Sequence, residues 1–97
     1  MNVYIIIPNY IMNDHVSELA YNAVRSLDGV GKIIFVDDGS PIKIFPPEVD
    51  TTISIDKNKG FSFACNEGFR YVFEQPEEDA WIVCAKHGIV TGKHFNR

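Results

Sequence analysis

Two adjacent acids close an apolar run in Ile33-Ile34-Phe35-Val36-Asp37-Asp38-Gly39-Ser40. Carboxylates are costly to bury unless something pairs with them. A strand ending this way is therefore expected to deliver them to an edge where something binds. An earlier run, Ile5-Ile6-Ile7, ends in Pro8-Asn9-Tyr10. If the two runs are neighbouring strands, their ends face one crevice, and open α/β sheets take ligands just beyond the carboxyl ends of their strands. There the Tyr10 ring can stack on a planar base. One carboxylate of the Asp37-Asp38 pair can accept the imide N–H of uracil or thymine, while the other binds a ribose hydroxyl or stays in solvent. Asp, Gly and Ser are also common turn residues, so the tetrapeptide alone reads equally well as a turn.

A second cluster is Asn58-x-Gly60 with Asn66-x-x-Phe69. Asn58 can cap a helix, and Gly60 can let backbone approach a ligand. Asn66 and Gly68 sit inside the same helical stretch, where both are mildly unfavourable. Capping and close helix packing explain these residues without a ligand. Cys65 and Cys84 have neither a disulfide-framework pattern nor zinc spacing, and both sit among apolar residues. They read as buried thiols of a reducing compartment, which makes the expected location cytoplasmic. Nothing around His15 or His94 suggests a site, and both are expected at the surface.

The elements that must position these groups follow from periodicity. Residues 3–7 are a continuous apolar run stopped by Pro8, which suits a strand buried on both faces of a parallel sheet. Asn13 or Asp14 can cap a helix whose apolar positions are Val16, Leu19, Ala20, Ala23, Val24 and Leu27, ended by Gly29 and Gly31. Residues 33–37 form a second strand. The stretch from Pro41 to Asp50 contains Pro46-Pro47 and cannot hold a long helix. A β-rich segment ending at Ile55 gives a third strand. Phe61, Cys65, Phe69, Val72 and Phe73 then make the apolar stripe of a second helix, closed by Gln75-Pro76. Trp81-Ile82-Val83-Cys84 is a fourth strand, and the stretch from Gly88 to Arg97 has little periodicity. The resulting β-α-β-loop-β-α-β order implies an α/β fold: a mainly parallel open sheet flanked by helices, with right-handed crossovers.

The bulk properties agree with one globular domain. The chain has 97 residues, 45% apolar and 23% charged, with 12% aromatic, an ordinary globular composition. A formal net charge of −4 and the lack of a basic stretch argue against a nucleic-acid partner. The leading apolar run is too short to span a membrane and lacks the basic flank of a signal peptide. No G-x-G-x-x-G follows the first strand, which argues against a dinucleotide-binding domain. A phosphoacceptor receiver domain also carries paired acids, and Asp56 could pose as its acceptor, but the acid pair would then sit on the wrong strand.

Taken together, three motifs resemble the N-terminal, nucleotide-binding half of family-two inverting glycosyltransferases, which have the Rossmann-like GT-A fold. They are Ile5-Ile6-Ile7-Pro8-Asn9-Tyr10, then Ile34-Phe35-Val36-Asp37-Asp38-Gly39-Ser40, then Asn58-Lys59-Gly60-Phe61-Ser62-Phe63-Ala64-Cys65-Asn66-Glu67-Gly68, which is similar to an N-x-G-F-x-x-A-x-N-x-G segment. They occur in the family's order and span residues 3 to about 85. The resemblance implies that Pro8, Asn9 and Tyr10 line the nucleoside pocket, that Asp38 recognises the base with Asp37 supporting it, and that Gly60 and Asn66 lie near the sugar nucleotide. It implies a UDP- or TDP-sugar donor, a saccharide-type acceptor, and inversion by direct displacement. In that reaction a later carboxylate acts as base and Mn²⁺ or Mg²⁺ offsets the leaving diphosphate.

Two departures accompany the resemblance. Where the family carries a metal-binding D-x-D, this chain reads Cys84-Ala85-Lys86-His87-Gly88, with no carboxylate. Hard divalent ions prefer oxygen ligands. The options are loss of metal-dependent catalysis, Lys86 supplying positive charge to the diphosphate, or His87 as a lone Mn²⁺ ligand. The acceptor-binding half and the base are also absent from these residues, so the domain is expected to be truncated and incomplete as an enzyme on its own. The alternative is a non-catalytic relic or interaction module of the same fold. An exposed edge on the fourth strand is expected to invite self-association.

Overall fold

The computed structural model describes residues 2–77, 79–86 and 89–96. Strand β1 runs over Asn2–Asn9, helix α1 over Asp14–Leu27 and β2 over Lys32–Asp38. Then come β3 over Thr51–Ile55, α2 over Phe61–Phe73, β4 over Asp79–Lys86 and β5 over Ile89–Asn96. The strands form one mixed sheet in the order β3-β2-β1-β4-β5. The first four are parallel, and β5 runs antiparallel to β4.

Side-chain alternation splits the core into two layers. Ile5, Ile7, Ile33 and Phe35 face α1, where they pack with Ala20 and Val24. Tyr4, Ile6, Ile34 and Val36 face α2, where they meet Ala64 and Val72. Burial on both faces explains why β1 and β2 read as unbroken apolar runs rather than alternating ones. The segment between β2 and β3 holds no helix, as its prolines require. It covers the α1 side instead with Ile42, Ile44 and Val49. Asp50 ties it down, accepting the Ile33 N–H on Oδ2 at 2.7 Å and donating its own N–H to the Ile33 carbonyl at 2.9 Å.

The helices start and stop for local reasons. Asn13 is the N-cap of α1, its side chain accepting the Val16 N–H at 2.9 Å. Gly29 follows the helix at φ +84°, a region that favours glycine. On α2, Gly68 lies so close to β1 that a Cβ there would sit 2.6 Å from Ile6 Cγ2. The mid-helix glycine is thus a packing requirement, and the approach fixes the height of α2 over the sheet.

Three expectations are corrected. β1 does not stop at Pro8 but continues through it to Asn9 along β2. The final stretch, which has little periodicity, adds a fifth strand to the four expected: β5 pairs with β4 from Asp79↔Asn96 to Lys86↔Ile89. The outer edge of β4 is therefore covered, and the argument for self-association through that edge falls. Leu19, placed on the apolar stripe of α1, is 51% exposed, because α1 buries only a narrow face. Among the described residues, no helix is long and apolar enough to cross a membrane.

Candidate functional site

The carboxyl ends of β1 and β2 lie side by side, with Asn9 opposite Asp37. β1 and β4 part sooner. Their ladder ends at Ile6 opposite Cys84, while β1 runs on along β2 and β4 runs on along β5. Pro8 falls just past the parting, and a proline has no N–H to share with a second neighbour. The ends of β1 and β4 are thus not paired with each other, and this parting, the notch, falls at the point where strand order reverses direction. Open α/β sheets receive ligands at such a point.

Asp37 and Asp38 do not face the same way. They continue the alternation of β2, Asp37 toward the α1 side and Asp38 toward the α2 side, and they are 6% and 4% exposed. Asp37 accepts the Ser40 N–H on Oδ1 at 2.9 Å and the Lys43 ammonium on Oδ2 at 2.8 Å. Burial pushes its carboxyl up, but the bonds from Lys43 and Ser40 and the charge of Lys43 outweigh that and hold it below the usual carboxylate range. Ser40 passes the connection on. Its Oγ accepts the Ile11 N–H at 2.7 Å, and the Ile42 N–H reaches the Ile11 carbonyl at 3.1 Å. The segment after β1 is thereby fastened to the segment after β2.

Asp38 fastens the third motif. Its Oδ1 accepts the Lys59 N–H at 2.8 Å, and its Oδ2 accepts the Gly60 N–H at 3.0 Å and Asn58 Nδ2 at 3.2 Å. Asn58 Nδ2 also donates to the Asp38 carbonyl at 3.2 Å. Asn58 is thus not the helix cap. Gly60 occupies the N-cap of α2, which has no side-chain cap bond. Its φ of +94° and ψ of 165° belong to a region essentially reserved for glycine, and a Cβ there would meet nothing within 4 Å. Gly39, between the strand end and this loop, is constrained twice. Its φ is +71°, and a Cβ would lie 2.3 Å from the Asn58 nitrogen.

The remaining residues divide. Pro8 is buried, Asn9 half-buried, and the Tyr10 ring 37% exposed at the same edge. Asn66 lies six residues into α2 from Gly60, about 9 Å along the axis. It is exposed and lines a groove of about 590 Å³ with Phe69, Phe73, Ile82 and His94. The structure thus joins Asp38 to Gly60 and sets Asn66 apart from both. Lys86 ends β4 beside the notch, opposite Ile89. His87 lies outside the described residues. His94 pairs with Asp79 and stands against the Trp81 ring, centroids 5.0 Å apart.

Among the described residues, the two edge acids do not form a divalent-cation site. Such an ion needs several oxygen ligands converging on one point. The two edge acids face opposite sides, one already paired with an ammonium and the other closed by three N–H donors. Among the described residues, no group of three or more His, Cys, Asp and Glu could hold a metal. Sequence reading missed Lys43 and Lys59 as partners of the acid pair. No spacing signal marks them, since one lies in an irregular segment and the other contributes only its backbone. No family model matches the chain, and no curated protein matches it at a significant level.

Proposed function

We propose that this chain is a nucleotide-sugar-binding domain of the Rossmann-like GT-A type, akin to the donor-binding half of family-two inverting glycosyltransferases. It takes a UDP- or TDP-sugar for transfer to a saccharide acceptor. The observation that carries the reading is the bonding of Asp38 to the backbone of Lys59 and Gly60. It ties the second motif to the third at the edge where the first also ends.

In this reading the exposed Tyr10 ring stacks on the base. A carboxylate offers about four acceptor positions, and Asp38 uses three of them internally, which leaves one for an imide N–H. Asp37 supports it indirectly, by holding the Ser40 turn. Lys86, at the end of β4, supplies positive charge to the diphosphate in place of a metal. The base that activates the acceptor is not assigned to any residue of this chain. A second reading, a non-catalytic interaction module with the same fold, is favoured by one observation: both edge acids are engaged by the chain's own donors.

Thermal stability against UDP, TDP, GDP and ADP, each with Mn²⁺ or with chelator, separates the two. Saturation at ~100 times the dissociation constant adds roughly 2.7 kcal/mol. Stabilisation by UDP or TDP that survives chelation supports the nucleotide-binding reading with Lys86 at the diphosphate. No shift with any nucleotide at millimolar concentration refutes it and leaves the interaction module.

A further inference from the structure

Cys65 lies in the second turn of α2 and Cys84 on β4, 19 positions apart in sequence, and the fold brings their Sγ atoms to 2.7 Å. Cys65 is buried and Cys84 half-buried. Two thiols meeting between a helix and the strand beneath it are not required by packing alone, since any small apolar pair fills such a space. We propose that Cys65 and Cys84 form a reversible oxidation site, closing to an internal disulfide that staples α2 to β4 when a low-molecular-weight disulfide such as oxidised glutathione is present.

The exchange balances in two steps. The Cys84 thiolate, the more accessible of the two, attacks one sulfur of the oxidant, forming a mixed disulfide and releasing one thiol. The Cys65 thiolate then attacks Cys84 Sγ and expels the second thiol. Two electrons pass from the cysteine pair to the oxidant, and the two cysteine protons end on the two released thiols. The second step is intramolecular between atoms already in contact, so it outruns the capture of a second oxidant molecule. Burial pushes the Cys84 thiol up, and its hydrogen bond with Cys65 only partly offsets this. The first step is therefore slow at neutral pH and quickens as pH rises. The staple joins the helix that carries Gly60 and Asn66 to the strand bordering the notch. The proposal does not depend on what the notch binds.

The test treats the folded chain with a series of glutathione redox buffers and reads intact mass, peptide maps without reduction, and melting temperature. The expected product is a monomer lighter by two hydrogens, with the Cys65 and Cys84 peptides linked. It reverts with reduced glutathione and melts roughly 15 °C higher, the scale expected for closing a loop of about 20 residues. Cys65→Ser and Cys84→Ser should each stop at a single glutathione adduct or stay reduced. The wild-type peptide map needs neither variant to fold. Persistent thiols in fully oxidised buffer, a dominant mixed adduct, a disulfide-linked dimer, or an internal bridge that lowers the melting temperature would each overturn the proposal.

Discussion

Replacing Asp38 with alanine tests the central claim about the edge, that this carboxylate holds the entry to α2. The substitution removes the acceptor for the Lys59 N–H, the Gly60 N–H and the Asn58 side-chain amide. Hydrogen bonds to a charged group contribute about 1.5–3 kcal/mol each, but the three cannot simply be added. Lys59 and Asn58 are exposed, so their donors regain water once the carboxylate is gone, while Gly60 is half-buried and regains less. The net cost is about 2–3 kcal/mol. For a domain of this size that lowers the melting temperature by roughly 10–20 °C and the urea midpoint by about 1–2 M. The single Trp81 on β4 and far-ultraviolet dichroism provide two probes whose transitions must coincide. Asp38→Asn keeps one acceptor but turns a donor toward other donors, so it falls between wild type and alanine. A double-mutant cycle with Asn58→Ala isolates the pair and should give a coupling of about 0.5–1 kcal/mol. If Asp38→Ala stays within about 0.5 kcal/mol of wild type, an ordinary surface value, the bonding described here does not hold the loop and the reasoning fails.

Three further outcomes follow from the same geometry. Gly39→Ala should cost more than Gly60→Ala by urea denaturation: both sit at positive φ, but only at Gly39 would the new methyl meet backbone, at 2.3 Å from Asn58 N, so about 3–4 kcal/mol is expected against about 1–3. Because the Asp37 carboxyl is held below its ordinary value of 3.8, its contribution to stability is present above about pH 4 and is lost as pH falls through the lower folded value. Lys43→Met should shrink that acid-dependent loss in denaturation curves collected from neutral pH downward. Gly68→Ala should cost about 1–3 kcal/mol by pressing on Ile6, and Gly68→Ala combined with Ile6→Ala should be less destabilised than the sum of the two single substitutions.

The parts of the fold legible in the sequence are those where both faces of a strand, or one face of a helix, are buried. β1 and β2 announce themselves because Ile5, Ile6, Ile33 and Ile34 are enclosed from both sides. β5 does not, because Thr91 through His94 are exposed one after another. Four consecutive exposed residues give no two-residue rhythm to read. Pro8 looked like a stop because proline removes a donor. It proves compatible with a strand that at that point has a neighbour on one side only. At the site, residue types showed that Asp37 and Asp38 need partners but not which ones. The Lys43 and Ser40 partners of Asp37 depend on how an irregular segment folds back. The partners of Asp38 are mostly backbone N–H groups, which every residue carries and no sequence pattern reveals. The meeting of Cys65 with Cys84 was hidden for a related reason: it depends on the height of α2 over the sheet, which the contact between Gly68 and Ile6 sets.

The alternation of β2 gives each acid of the pair a separate task, and this accounts for two of them standing in sequence. Asp37 reaches one side of the sheet and braces the turn that Ser40 joins to Ile11. Asp38 reaches the other and braces the turn that leads through Gly60 into α2. Gly39 sits between them because the chain there must both reverse and pass within contact distance of the Asn58 backbone. A single acid could secure only one of the two connections, and an apolar residue neither, since the N–H groups of buried Ser40 and half-buried Gly60 would be left unpaired at a penalty of their own. The three segments at the carboxyl edge are therefore fixed relative to one another by the chain's own hydrogen bonds. On the nucleotide-binding reading proposed above, the Tyr10 ring and the fourth acceptor position of Asp38 are what such an edge would offer a base. Any ligand that had to displace the Lys59 or Gly60 amides would loosen the entry to α2 and bind more weakly by the cost of that loosening. On that reading a planar base offering a single N–H is favoured over a ligand that demands both carboxylate oxygens.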